Sequence, residues 1–445
     1  MDIMAVKLFT IGGYDEVGRN MSAIQVDDEI IILDMGFFIP KLIEYEDEEP
    51  HNFSVNKLSQ LQVIPDDSIL KKLKHQVKAI AIGHGHLDHV GAVPYLAKSY
   101  NAPVIATPFT LEILKSLIKD NKLKLNNELI PVLPNSSFKV SNKITLEFIH
   151  MTHSTLQTAM IAVHTPEGII IYANDFKFDR NPVLGKKPNF ERLKKLKGKV
   201  LALVADSIYS NTDQKTPSEK VAREMLKDVL LGTHNKNNLI IVSTFSSHIA
   251  RLKSIADFGD KLNRKILFLG RSLHKYVTAA QNLKLIKFNR VEIVPYRSKI
   301  AKRLKQIKHH ERGNYMIVCT GNQGEPNAVL SRIARGEYPL KLYNDDQVIF
   351  SCKTIPTPIN YAQREILENL LKQKKVRIFK DIHVSGHPGR EDLRELINLI
   401  QPKHIIPSHV GPQMAIHMVE LATEIGYTVN ENVHLMRNGL SLKLK

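Results

Sequence analysis

Val77-Lys78-Ala79-Ile80-Ala81-Ile82-Gly83-His84-Gly85-His86-Leu87-Asp88-His89 is the stretch on which the reading of this chain turns. Its first six residues form an apolar run that predicts a buried strand. Four potential metal ligands then fall within six positions. Alternate residues on an extended chain point the same way, so His84, His86 and Asp88 are expected to converge on one point. His89 is expected to lead into a helix over Ala92–Ser99. Imidazole and carboxylate are ligands of zinc and related ions, and an open coordination position on such an ion activates water. The bland alternative is a group of surface histidines ahead of a helix. Four ligands at this spacing, at a strand end, favour a metal site.

Further ligands are sought at other strand ends. His153 follows the strand predicted over 144–149, though His150 competes with it. Asp175 follows the second strand of a hairpin predicted over 159–172 with its turn at Pro166-Glu167-Gly168; Asp179 competes. One carboxylate can place an oxygen on each of two cations, which suits Asp175 to bridging. His409 follows a strand at 404–406, with His404 as its rival. Asp34 ends an early strand and can orient a ligand histidine through its other ring nitrogen.

Working outward, the first half reads as short strands at 6–11, 22–26 and 30–34, an irregular segment at 36–66, and strand–helix units at 77–82 and 103–119. From about residue 200 the pattern becomes regular α/β: strands at 200–205, 239–242, 266–269, 316–319, 376–384 and 404–406, each followed by a small polar turn. Such repetition argues for parallel strands, with sites at their carboxyl ends.

Net charge is +17 over 445 residues. That excess points to a polyanionic partner, nucleic acid being the usual one. It is uneven: Lys284–Arg312 holds ten Lys/Arg against Glu292 and Glu311. Lys186–Lys199 is also basic, whereas Glu44–Glu49 is acidic in five of six positions and is expected to be an exposed loop. Cys319 and Cys352 are too few for a disulfide framework and read as buried small residues in strands. No apolar run approaches a membrane span and no signal-peptide pattern opens the chain, so no membrane association and a cytoplasmic location are expected.

These residues carry a resemblance. His84-Gly85-His86-Leu87-Asp88-His89, with Asp34, His153 and Asp175, resembles the metallo-β-lactamase superfamily. Asp206, His387 and His409 match later motifs of its nucleic-acid-processing β-CASP group. Several strings are closer still to the archaeal type of the ribonuclease J family. They are Gly12-Gly13-Tyr14-Asp15-Glu16-Val17-Gly18-Arg19-Asn20, Thr244-Phe245-Ser246-Ser247-His248-Ile249-Ala250-Arg251-Leu252, Gly270-Arg271-Ser272, Thr320-Gly321-Asn322-Gln323-Gly324-Glu325-Pro326, and His383-Val384-Ser385-Gly386-His387.

The resemblance implies an α/β fold: a metallo-β-lactamase αββα sandwich with an inserted β-CASP α/β domain. Its first part would span 1–206, the insert 207–364 and the closing part 365–445. It implies two zinc ions, with manganese as an alternative. His84, His86 and His153 would hold one, Asp88, His89 and His409 the other, and Asp175 both. Asp88, Asp206 and His387 would be catalytic, His387 beside the scissile phosphate. His383, Val384, Ser385, Gly386 and His387 would contact the RNA backbone. The extra C-terminal domain of bacterial relatives and the leading RNA-binding domains of cleavage-factor relatives are expected to be absent.

Serines and glycines at strand-to-helix turns have their own logic, because a helix N-terminus offers free N–H groups to a phosphate. Ser246, Ser247, Arg271, Ser272, Ser385 and Gly386 are candidates for gripping a 5′-phosphate; ordinary N-capping is the alternative for each. The expected activity is 5′→3′ degradation of single-stranded, 5′-monophosphorylated RNA, with some internal cleavage, by a homodimer. The rivals are an internally cutting cleavage-factor-type endonuclease, a DNA-directed relative, a small-molecule hydrolase, and an RNA-binding subunit without activity.

Overall fold

The apolar run Val77–Ile82 is an interior strand of a seven-stranded sheet. The structure, a computed structural model, describes residues 6–44, 54–355 and 357–445. These fold as two compact units. The first comprises the chain up to Arg180 with Lys186–Thr216 and Ser385–Lys445; the second comprises Asn181–Gly185 and Pro217–Val384.

Two sheets face each other in the first unit. One runs in the order Leu440–Leu444, Val6–Gly12, Met21–Val26, Glu29–Leu33, Val77–Ile82, Val104–Ala106, Leu129–Pro131. The other runs His404–Ser408, Val200–Asp206, Gly168–Ala173, Ala159–Thr165, Thr145–His150, Ser136–Lys139. Alternating apolar residues explain the pairing. Leu8, Ile24, Ile31 and Ala79 from one sheet and Leu146, Ile161, Ile170 and Val204 from the other fill a common core. Each buried Leu, Ile or Val contributes roughly 1.5–3 kcal/mol by leaving water. The second sheet's opposite face packs Ile171, Leu203 and Ile405 against Leu193, Leu396 and Leu421 of the helices Phe190–Lys195, Arg390–Ile400 and Pro412–Glu424. Helix Pro108–Asp120 lies against the first sheet, which completes a helix–sheet–sheet–helix stack.

The second unit holds a six-stranded, all-parallel sheet, as the repeated strand–turn–helix pattern predicts. Its order is Val291–Val294, Lys265–Leu269, Tyr315–Cys319, Ile240–Ser243, Gln347–Phe350, Arg377–Phe379. Among the described residues no helix is long and apolar enough to cross a membrane.

Several expectations are corrected. The helix expected over 92–99 is three short pieces, Leu87–Val90, Val93–Leu96 and Ala97–Ser99, and it begins inside the ligand motif. The first piece stops because the Ala92 N–H donates to the Met35 carbonyl instead of to Asp88. The 36–66 segment, expected to be irregular, contains helices Ile39–Glu44 and Val55–Gln60. Beyond Glu44 the acidic run to Glu49 lies outside the described residues. The strand expected over 376–384 is confined to Arg377–Phe379. Cys352 lies two residues beyond the strand Gln347–Phe350, although both cysteines are buried and free as expected. The expected domain boundary after 364 falls within helix Pro358–Gln373. That helix leads into the edge strand Arg377–Phe379, so the second compact unit continues to Val384.

Candidate metal centre

Every candidate ligand sits at or just beyond the carboxyl end of a strand in the first unit. His84 follows Ile82, Asp175 follows Ala173, and His409 follows Ser408. Asp34, Asp175 and His409 all adopt left-handed backbone, with φ of 60°, 57° and 58°. Such a conformation turns the chain sharply out of its strand, and for a residue other than glycine it has to be held by its surroundings.

Two clusters result. In the first, His84 Nε2 and His153 Nε2 lie 3.0 and 3.1 Å from His86 Nδ1, and each is 3.4 Å from Asp175 Oδ2. In the second, His89 Nε2 is 3.6 Å from Asp88 Oδ2 and 3.3 Å from Asp175 Oδ2. His409 Nε2 is 3.8 Å from Asp88 Oδ2 and 3.7 Å from Asp175 Oδ1. Asp175 belongs to both. The strand-alternation argument therefore misplaces Asp88: it stands in the first helical turn after His86, and it joins His89 rather than His84 and His86. The rivals lie elsewhere. His150 Nε2 meets the carbonyl of Lys186, His404 Nδ1 meets His434 Nε2, and Asp179 is beside Lys177.

Polar neighbours fix the rings. Asp34 Oδ2 accepts from His89 Nδ1 at 2.7 Å, while its Oδ1 accepts from the Gly83 N–H. The Gly386 carbonyl accepts from His153 Nδ1 at 2.7 Å. In each case the other ring nitrogen is left to face the cluster. Gly36 makes this possible on one side: a Cβ there would lie 1.6 Å from the Asp88 carbonyl oxygen, so only glycine lets the two segments approach.

This donor set fits divalent metal. Burial holds the imidazoles of His84, His86 and His153 below their ordinary protonation range, the last two well below it. Three neutral rings thus bring lone pairs together at distances where each pair needs a shared proton or a cation. Burial pushes Asp175 up, but His409, His89 and His387 pull it well below the usual carboxylate range. Its Oδ1 is buried with no hydrogen-bond partner among the described residues. Burial lowers His89, yet Asp175, Asp88 and Asp34 hold it well above the ordinary value. A field that keeps a proton on a fully buried ring is a field suited to a cation.

Beside the clusters, His387 Nδ1 donates to Asp206 Oδ2 at 2.7 Å. Its ring stacks on His409 with centroids 5.5 Å apart. Burial lowers this imidazole, but Asp206 and Asp175 push it up to about 9. Its side chain is 22% exposed, against 0% for Asp206 and 1% for Asp175. His387 does not cap the following helix; Gly389 does.

The phosphate-pocket candidates divide between the units. Ser385, Gly386 and His387 belong to the first; Ser246, Ser247, Arg271, Ser272, His383 and Val384 belong to the second. The serines are not the caps of the helices they precede or open: His248, Gly270 and Gly389 hold those positions. Ser385 Oγ instead accepts from the His387 N–H.

Asn20 is a partner that sequence reasoning missed. Its Oδ1 accepts from His409 Nδ1 at 3.0 Å, and its Nδ2 lies 3.0 Å from the Asp88 carbonyl and 3.1 Å from His89 Nε2. One amide therefore braces three members of the second cluster. Asn20→Leu is expected to lower metal affinity and any metal-dependent activity by about 10–100-fold, the usual effect of removing a ligand's hydrogen-bond partner. Metal titration followed by activity at saturating metal measures it. Wild-type affinity in the variant would show that Asn20 is only packing.

Three family descriptions match the chain: "Metallo-beta-lactamase superfamily" over residues 14–203, "Ribonuclease J, beta-CASP domain" over 237–369, and "Zn-dependent metallo-hydrolase RNA specificity domain" over 374–435. The sequence is 44% identical over 445 residues to a protein named ribonuclease J from Methanocaldococcus jannaschii, covering 99% of each chain. It is 41% identical to ribonuclease J of Pyrococcus abyssi, covering 98% of this chain and 97% of that one. A crystal structure of a protein of unknown function from Enterococcus faecalis is similar in fold, with a TM-score of 0.65 at 17% identity, covering 99% of this chain and 100% of the other.

Proposed function

The chain belongs to the ribonuclease J family of metal-dependent RNA phosphodiester hydrolases, and on that premise we propose that it degrades single-stranded RNA 5′→3′ from a 5′-monophosphate end. Internal cleavage is a second activity of the same site, and RNA maturation and decay are its setting. The observation that carries the reading is the pair of clusters joined through Asp175 with His387 and Asp206 beside them.

His84, His86, His153 and Asp175 would hold one zinc ion, and Asp88, His89, His409 and Asp175 the other, with manganese able to replace them. Metal bound there supplies Lewis acidity toward a phosphoryl oxygen and activates water as the nucleophile. The chain's own residues do the rest. His387, fixed by Asp206, presents its Nε2 to the scissile phosphate and steadies the charge that develops there. Ser385 holds the backbone of His387, and Gly386 holds the ring of His153. Ser246, Ser247, Arg271 and Ser272, with His383 and Val384, are proposed to bind the RNA backbone and its terminal phosphate through hydroxyl, guanidinium and N–H donors. The enzyme acts in the cytoplasm as a homodimer in this proposal; light scattering checks the second point.

One RNA labelled at its 5′ end, carrying monophosphate or hydroxyl, tests the reading with and without chelator. Labelled mononucleotide is expected as the first product. The monophosphate should be preferred about tenfold or more, since each charge-assisted hydrogen bond contributes roughly 1.5–3 kcal/mol. Chelation is expected to stop release. Discrete longer fragments that are indifferent to the 5′ group would replace this reading by internal cleavage of the cleavage-factor type.

A further inference from the structure

The basic segment Lys284–Arg312 is not used by the site above, and the structure gives it a definite place. It forms the edge strand Val291–Val294 of the second unit's sheet and the helix Arg297–Lys305. Ile300 and Leu304 bury one face of that helix, while Lys299, Lys302 and Lys305 are exposed. At the amino ends of the parallel strands, this edge borders a cavity of about 420 Å³. Four cations, Arg264, Lys265, Arg290 and Arg303, line it against a single carboxylate, Glu292. The phosphate-pocket turns after Ser243 and Leu269 lie at the opposite, carboxyl ends of the same sheet.

The charge in this cavity is only partly cancelled, since four cations stand against Glu292 and Asp260. Glu292 is occupied by Arg303, both of its oxygens lying 2.9 Å from Nε. Arg264 is only 4% exposed, yet its guanidinium donates to the carbonyls of Asn238 and Tyr315 and to Asn235, with no carboxylate partner among the described residues. Arg290 is 60% exposed, with Asp260 Oδ1 3.9 Å from its Nε. Next to the lysines, Tyr296 is 54% exposed, and Lys299 lies over its ring.

We propose that this cavity and the exposed face of helix Arg297–Lys305 form an RNA-binding exosite that holds the phosphates of a single strand and stacks a base on Tyr296. The proposal rests on the RNA reading above. An acidic protein surface would also meet these lysines; the exposed Tyr296 among them, flanked by Lys299, favours a single strand. Single-stranded nucleic acid uses both a cationic groove and a stacking platform. Flexible lysines give sequence-tolerant contact, which suits an enzyme that processes its substrate along its length.

The test compares the wild type with Arg290→Ala/Lys299→Ala/Lys302→Ala/Lys305→Ala. A control of equal charge loss, Lys71→Ala/Lys72→Ala/Lys119→Ala/Lys122→Ala, removes exposed lysines of the first unit. Affinities for 5′-monophosphorylated RNAs of six and thirty nucleotides are measured in chelator over a range of salt. A long strand can reach two sites at once and gains from their linkage. In the exosite variant the preference for the long RNA is expected to fall about tenfold or more. The salt slope should shrink by about 3, near 0.7 for each of the four lost phosphate contacts. Tyr296→Ala should weaken long-RNA binding with its slope unchanged. Equal losses in variant and control, or a wild-type preference in the exosite variant, would overturn the proposal and leave the face to an acidic protein or to solubility. Failure of the wild type to hydrolyse RNA would instead sink the nuclease reading, and the binding arm would still decide the exosite.

Discussion

Asp175→Asn is expected to lower RNA hydrolysis by about 10³-fold or more and to empty the metal centre, while the protein stays folded. Asp175 is the one residue common to both clusters. Its Oδ2 lies 3.3–3.4 Å from His84, His89 and His153, and its Oδ1 lies 3.7 Å from His409. Asparagine has the same shape and tolerates the left-handed backbone that φ of 57° imposes, so neither packing nor the turn is disturbed. What disappears is the negative charge. The rings of His84, His86 and His153 would then converge on an amide, whose N–H₂ can satisfy at most two of them. Loss of metal removes several kcal/mol of transition-state stabilisation, which sets the size of the effect. Alanine would add backbone strain to the same loss, so it is the poorer choice. Metal content per chain, thermal unfolding and initial rate on labelled RNA are the three measurements. A variant that keeps metal and a rate within tenfold of the wild type would remove Asp175 from the bridging role.

How much of this centre could be read in advance follows from range along the chain. His84, His86, Asp88 and His89 declare themselves because six residues carry them, and the apolar run before them locates a strand end. His153, Asp175 and His409 each have a rival a few positions away. Local pattern cannot choose between His150 and His153. That choice depends on which residue leaves its strand toward the other sheet, and contacts made across the fold decide it. The left-handed turns at Asp34, Asp175 and His409 are of this kind: Asp and His tolerate that conformation but do not by themselves fix where it falls, and it aims three of the side chains. Asp88 shows the opposite hazard. Strand alternation is sound only while the strand lasts, and here the chain is already helical at Leu87. Asn20 was invisible for a simpler reason, since its partner His409 is 389 positions away. At the scale of the fold, hydrophobic periodicity located most strands. It ran past the end at Phe379 because apolar Ile382 and Val384 continue the pattern after the pairing has stopped.

His387→Ala is expected to separate chemistry from metal binding. Metal content should be unchanged, because the seven candidate ligands do not include His387. The rate should fall by about 10²–10⁴-fold, the range for a positioned acid–base or charge-stabilising group. The substitution leaves the local backbone supported: the His387 carbonyl accepts from Thr216 Oγ1 at 2.7 Å and its N–H donates to Ser385 Oγ at 3.0 Å. Asp206 is the companion test. It is fully buried, its Oδ2 accepts from His387 Nδ1, and its Oδ1 accepts from the Ile208 N–H. Asp206→Asn keeps its shape but removes the charge that orients and polarises the ring, so a smaller loss is expected than from His387→Ala. If Asp206 acts through His387, the double variant should be no slower than His387→Ala alone, because the two side chains form one unit. Multiplying losses would mean that Asp206 serves the reaction by a separate route. Loss of metal in His387→Ala would make the ring a support for His409, on which it stacks. An unchanged rate with metal retained would leave His387 without a part in hydrolysis and shift the burden of charge stabilisation to the metal centre.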